Sequence, residues 1–356
     1  MKIGLMPSYN DLFDGPPPSL EDVLHNIPSC VIIAKLAMIN ALLNINKSTD
    51  EIQIRIFNVL LNRQEPNIRS KILSRVVKTI LKGGKRETSF FSQHLSLHFI
   101  HYIFINYREG AFEDLTQEQD LNFLKGYFVI TNEIEEVYKN SFDLNLPKEG
   151  EFFYKATWPT FLEQFAFNQP TNPLSGMIRG LVFLDYLNAS TDYSEYLEKF
   201  VRYNKIKNYR DYIFLLVEGI KKSFSWFDLE GQRVVGFLLR ASDQSKIFFD
   251  NLSISHKEYK EQFCNSKGHY SGLKEKPLLK VGTESYIVIE WGFFYNKLYE
   301  GLLYDFHKYS GLSNHPAYRR LSDIKKVIAK EVTENFLFKK IGTMHFRTKA
   351  FEIDKD

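Results

Sequence analysis

The stretch Pro277–Leu312, PLLKVGTESYIVIEWGFFYNKLYEGLLYDFHKYSGL, limits the possible folds more than any other part of the chain. Apolar and β-branched residues before and after Gly282-Thr283 predict two short strands joined by a tight turn. The aromatic run beyond Trp291 predicts a helix to about Tyr309. Almost everything upstream carries helical periodicity instead. A short hairpin in a helical chain predicts a mainly α protein, either a helical bundle or an irregular α-array, with a small C-terminal unit containing a β-hairpin.

The helical signals are frequent and well punctuated. Ser19-x-x-Asp22 and Ser48-x-x-Glu51 have the spacing of N-terminal caps. From Asn67, Ile68, Ile72, Val76 and Ile80 recur beside Leu73, Val77 and Leu81, and Gly83-Gly84 ends the run. Further helices are predicted over 88–106, 116–140, 174–188, 192–203 and 208–225, and a last one over 319–338. No fixed period relates them, which excludes a regular solenoid. The breakers suggest an extended N-terminal arm over 1–18, ending in Gly15-Pro16-Pro17-Pro18. A helical domain over 19–147 and a second helical region over 148–228 follow. An α+β unit over 229–356 comes last, carrying the hairpin 277–291 and a C-terminal helix.

Composition narrows the class. With 356 residues the chain is long enough for one large or two ordinary cores. Two cysteines, Cys30 and Cys264, fit a reducing cytoplasm and two buried thiols rather than a disulfide framework. The most apolar run, Cys30–Ile45, is interrupted by Lys35, Asn40 and Asn44, so no membrane association is expected. Aromatics form 15% of the chain, and they serve either as helix-core packing or as stacking platforms for single-stranded nucleic acid. A net charge of +3 is too small to indicate nucleic-acid binding by itself.

Local charge says more. Arg69, Arg75, Lys78, Lys82, Lys85 and Arg86 lie along and just beyond the helix that begins at Asn67, and Arg319 and Arg320 begin the last helix. Such stripes neutralise phosphates of DNA or RNA, or they are simply solvated faces. His94, His98 and His101 share one helical face by their spacing. Two histidines four residues apart can ligate zinc or another divalent metal, and three can seat between packed helices. No glutamate follows His94, so the metalloprotease pattern is incomplete. No cofactor is otherwise expected. Phosphate-loop spacing fails around Lys82-Gly83-Gly84-Lys85, and no Gly-x-Ser-x-Gly occurs. Glu284, Glu290, Glu300 and Asp305 do not form an acid-x-Lys pattern and are expected at the surface.

The segments Lys276–Leu279, Tyr286–Ile289, Lys297–Leu302, Phe338–Gly342 and Ala350–Glu352 resemble a group of bacterial defence-type proteins. In that group a long helical region precedes a restriction-endonuclease-like domain. Such proteins continue into Pro-Asp and acid-x-Lys strands, which this chain lacks before Asp356. The resemblance implies a non-catalytic recognition or scaffold portion of a nucleic-acid-directed module, or a nuclease that is truncated or split, with a catalytic subunit separately encoded. The alternatives are a protein–protein interaction scaffold and a metal-dependent enzyme built on the three histidines.

Overall fold

The computed structural model describes residues 7–45, 50–83, 89–141, 173–223, 227–229, 232–234, 236–264 and 270–318. The expected joint at 147–150 and the C-terminal helix over 319–338 lie outside them. Fifteen α-helices and two small antiparallel sheets make up the described residues, so the protein is mainly α. The chain divides into two compact units, 1–170 with 217–294 and 171–216 with 295–356. Each unit is therefore built from two separate stretches of sequence rather than from one consecutive block.

The larger unit is organised around its most apolar helix. Helices α1 (Tyr9–Leu12), α2 (Leu20–Leu24) and α3 (Ser29–Ile45) come first, followed by α4 (Asp50–Leu60) and α5 (Pro66–Gly83). Helices α6 (Gln93–Ile105) and α7 (Gln117–Ser141) complete the N-terminal set. Ile33, Leu36 and Ile39 of α3 are fully buried, as expected for a helix that is apolar on all sides. Helix α3 packs on α6, and α2 packs on α7. Five aromatic rings fill the centre: Phe57 meets Phe90, Phe91 and Phe128 at centroid distances of 5.2, 4.8 and 6.2 Å, and Tyr127 lies 5.0 Å from Phe91. Gln53 clasps the segment leading into α6. Its amide donates to the Phe91 carbonyl at 3.1 Å, and its side-chain oxygen accepts the Phe91 N–H at 2.7 Å. Both bonds are buried, so every polar atom of that clasp is satisfied.

Two expectations change here. The N-terminal segment is not wholly extended, because Tyr9–Leu12 forms a helical turn. Asp11 accepts from the Ser8 N–H and hydroxyl at 2.8 and 2.9 Å, and Tyr9, Leu12 and Phe13 are buried. Burying those three side chains outweighs the extended preference of the prolines that follow. In α5 only part of the broad apolar face is covered: Ile72 and Val76 are buried, whereas Val77 and Leu81 are 45% and 74% exposed.

The sheet belongs to this same core. Strands β1 (Phe227–Leu229) and β2 (Gln232–Val234) form a ribbon of their own. Helices α8 (Pro173–Ala189), α9 (Ser194–Asn204) and α10 (Asp211–Lys222) precede β1 in the chain, and strand β3 (Leu238–Arg240) precedes helices α11 (Lys246–Asn251), α12 (His256–Phe263) and α13 (Ser271–Glu275). The predicted hairpin follows as β4 (Leu278–Lys280) and β5 (Ser285–Val288). The sheet order is β3-β5-β4, with Leu238 opposite Ile287 and Leu279 also opposite Ile287. Ile287, Ile289 and Phe293 join the hydrophobic core formed by the N-terminal helices, and β5 packs on α3. The β-element therefore does not found a separate unit. Alternating side chains give β5 an apolar face, and α3 is the apolar surface that covers it.

The second unit contains α8 (Pro173–Ala189), α9 (Ser194–Asn204), the start of α10 (Asp211–Lys222) and α15 (Glu300–Tyr309). Phe306 is its hub, 5.7 Å from both Phe183 and Phe200 by centroid. Gly176 and Gly180 of α8, one turn apart, let the chain at Leu298 approach closely. A Cβ built on Gly180 would lie 2.1 Å from the Leu298 carbonyl oxygen. A buried polar node sits in this unit. Lys297 Nζ donates to both Asp305 carboxylate oxygens at 2.7 and 2.9 Å, and the Tyr212 hydroxyl donates to Oδ2 at 2.8 Å. Lys297, Asp305 and Tyr212 are 1%, 3% and 0% exposed. Asp305 thus reverses the surface expectation: the lysine charge and two classes of donor satisfy its carboxylate, which is what burial of a charge requires. Glu284 and Glu300 are exposed as expected.

Candidate functional site

The basic stripe of α5 is partly neutralised within the fold. Asp14 accepts from Lys71 at 2.7 Å and also from Arg75, and Arg75 donates to the Leu12 carbonyl at 3.0 Å. The hydrogen bonds from Lys71 and Arg75 hold the Asp14 carboxyl down at about 2. Arg69 donates to Asn58 at 3.1 Å. Lys78 and Lys82 remain at the exposed surface, beside the exposed apolar residues Val77 and Leu81. Lys85, Arg86, Arg319 and Arg320 lie outside the described residues. Within α5, then, Lys78 and Lys82 are the cations left to meet an external anion, because Arg69 and Arg75 anchor neighbouring segments.

The three histidines do share a face of α6. Their ring centroids step along it at 6.4 Å from His94 to His98 and 6.3 Å from His98 to His101. His94 and His101 each face a tyrosine. His101 Nδ1 lies 2.7 Å from the Tyr259 hydroxyl, and His94 Nδ1 lies 3.4 Å from the Tyr270 hydroxyl. Burial pushes the Tyr259 phenol far above its usual range, so it stays protonated and serves as a donor. Burial lowers the His94 imidazole to about 4, which leaves it neutral at pH 7. Among the described residues no group of three or more His, Cys, Asp or Glu side chains is placed to hold a metal ion. At His94 and His101 the spacing that suggests a ligand set is used to pin α6 against Tyr270 and against Tyr259 of α12.

The same seam ends in an open cleft of about 270 Å³. It is lined by Phe104, Ile105 and Tyr107 from the end of α6 and by His256, Lys257, Lys260 and Glu261 from α12. Tyr107 and His256 stack in parallel, with centroids 4.4 Å apart and planes 4° from coplanar. Packing of α12 on α6 brings them together, since Tyr259 lies against Phe104 at 4.7 Å. Ser255 starts α12 by accepting the Glu258 N–H at 3.2 Å, which fixes His256 in its first turn. Burial, assisted by Cys30 and Glu109, pushes the Tyr107 phenol up to about 12. Lys257, Lys260 and Glu261 are exposed around the rings. The cleft is slightly smaller than the roughly 300 Å³ at the lower end of small-molecule pockets, a size that suits one flat ring better than a whole cofactor.

The sequence readings did not single out Tyr107, Lys257 or Lys260. About 150 positions separate the two halves, and nothing local marks either one; Ser255-x-x-Glu258 is the sole signal, and it announces only a helix start. Cys264, expected buried, is half-buried, and Cys30 is buried. No family model, curated protein or solved structure matches the chain. No helix among the described residues is long and apolar enough to cross a membrane.

Proposed function

We propose that this protein is a non-catalytic recognition scaffold for single-stranded nucleic acid, and that the α6–α12 cleft is its contact point. The observation that carries this reading is the parallel Tyr107–His256 pair in a cleft also lined by Lys257 and Lys260. Aromatic rings offer a stacking surface to any base, and adjacent lysines offer phosphate contacts without sequence preference. Lys78 and Lys82 on α5 add a second cationic edge within the same unit. The reading agrees with what the resemblance to helical, nuclease-associated defence proteins implies, with DNA or RNA as ligand and a separately encoded nuclease as partner.

Fluorescence anisotropy with short labelled DNA and RNA strands across a salt series tests this. Two lysines neutralising two phosphates predict a log–log salt slope of about −1.4 for single strands. Tyr107→Ala is expected to weaken binding by about 1–3 kcal/mol per stacked base. Lys257→Glu with Lys260→Glu should flatten the slope. Absence of binding at low salt, or binding that these variants leave unchanged, would sink the proposal.

A second reading, a protein–protein interaction scaffold, rests on Val77 and Leu81, large apolar side chains exposed beside Lys78 and Lys82. It predicts that Leu81→Ser disrupts a partner complex while oligonucleotide binding is unaffected.

A further inference from the structure

Glu290 immediately precedes α14 (Trp291–Asn296) and is 2% exposed. Its Oε1 accepts from the Asn44 amide at 2.8 Å and from the Gly292 N–H at 2.9 Å. Its Oε2 has no hydrogen-bond partner. Asn40, one turn before Asn44 on α3, donates to the Ile289 carbonyl at 3.3 Å, and its Oδ1 also lacks a partner. Two consecutive residues of the β5–α14 turn are thus held by two consecutive turns of α3. The atoms left over on Glu290 and Asn40 are both oxygen acceptors.

No ion pair among the described residues involves Glu290, and Lys274 of α13 stands over the Phe293 ring of α14 with its Nζ 5.7 Å from the centroid. β5 and α14 carry no ionisable acid or base apart from tyrosines Tyr286 and Tyr295. The charged residue of α3 is Lys35, which is bound to Asp120 at 2.7 Å. From α6, Gln93 reaches the joint by donating to Asn44 Oδ1 at 2.6 Å, and the titratable groups of that helix are His94, His98, His101 and Tyr102. An ionised Glu290 would therefore be a buried charge with one oxygen unsatisfied, a costly arrangement. A proton on Oε2 removes the charge and turns a surplus acceptor into a donor.

We propose that Glu290 is a proton-operated latch: with its proton it supplies the donor that the Asn40 side chain lacks, and on losing it the joint between α3 and the start of α14 loosens. Burial raises the carboxyl from its ordinary 4.5 to about 7, opposed by the bonds from Asn44 and Gly292. A carboxyl raised in the closed state favours closure fully below 4.5, and that advantage is lost as pH rises to about 7, because the open state ionises first. Burial of His94 acts in the opposite sense, since stability is lost as pH falls from 6.5 towards about 4. Global unfolding therefore sums two opposed slopes, and only a local readout isolates the latch.

Hydrogen exchange of the amides over 289–294, corrected for intrinsic rate, tests it in the full chain. The opening population should rise about tenfold per pH unit between roughly 4.5 and 7 and then level off. Glu290→Gln retains an uncharged donor–acceptor side chain, so it should exchange slowly and show no such rise. Identical pH profiles for the wild type and Glu290→Gln would overturn the proposal. If the variant does not fold, isotope-edited infrared spectroscopy of the wild-type protein decides: a protonated glutamic-acid carbonyl band below neutral pH supports the latch, and its absence overturns it.

Discussion

Asp305→Ala is expected to destabilise the second unit by about 3–5 kcal/mol. The substitution removes both acceptors of Lys297 and leaves an ammonium that is 1% exposed with nothing to bind. It also strips the fully buried Tyr212 hydroxyl of its acceptor, and burial, the largest cause of its raised pKa, remains to oppose its ionisation. The attraction within the node offsets the desolvation of its members only while all three are present. Replacing the whole node, with Lys297→Met, Asp305→Leu and Tyr212→Phe together, should recover most of the loss, since apolar groups of similar volume remove the need for the charge pair. Hydrogen exchange over 194–216 and 297–309 under rising denaturant measures both. A loss of under about 1 kcal/mol for Asp305→Ala would show that Lys297 reaches water readily and that the node is not buried in solution.

Gly180→Ala should destabilise the same unit by about 3 kcal/mol, at the upper end of overpacking effects. In an exposed helix the change would stabilise by about 1 kcal/mol, because alanine is the better helix former. Here the new methyl would meet the Leu298 carbonyl oxygen at 2.1 Å and Ile213 Cδ1 at 2.7 Å. The first of these is main chain, so a rotamer change cannot relieve it. Gly176→Ala is the internal control. Its methyl would meet the Leu298 Cβ at 3.2 Å, and its cost should be largely offset by the propensity gain. Denaturation midpoints of the two variants should differ clearly and in that order. Equal midpoints would mean that α8 does not approach Leu298 as described.

Elements that declare themselves through local chemistry were legible in the sequence. Helices α3, α5, α6 and α7 follow from apolar spacing and caps, and the β4–β5 hairpin follows from alternation around Gly282. Longer-range features were not. Strand β3 lies on the far side of β5, 45 positions before it, and nothing in Leu238–Arg240 names that partner. The hairpin looked autonomous because its complement, the apolar face of α3, lies near the other end of the chain. Glu290 and Asp305 were expected at the surface because carboxylates usually are, and only their partners Asn44, Lys297 and Tyr212 explain the exceptions. The histidine run was visible as a pattern, but its meaning depended on Tyr259 and Tyr270, which the sequence places far away. The cleft at Tyr107 and His256 suffers from the same separation.

Photocrosslinking to a short single strand carrying a halogenated uracil, followed by mapping of the attached peptides, tests the proposed interface most directly. The account predicts crosslinks to Tyr107 or His256, lost when salt is raised and in Lys257→Glu with Lys260→Glu. Crosslinks confined to other surfaces, or none at low salt, would contradict it.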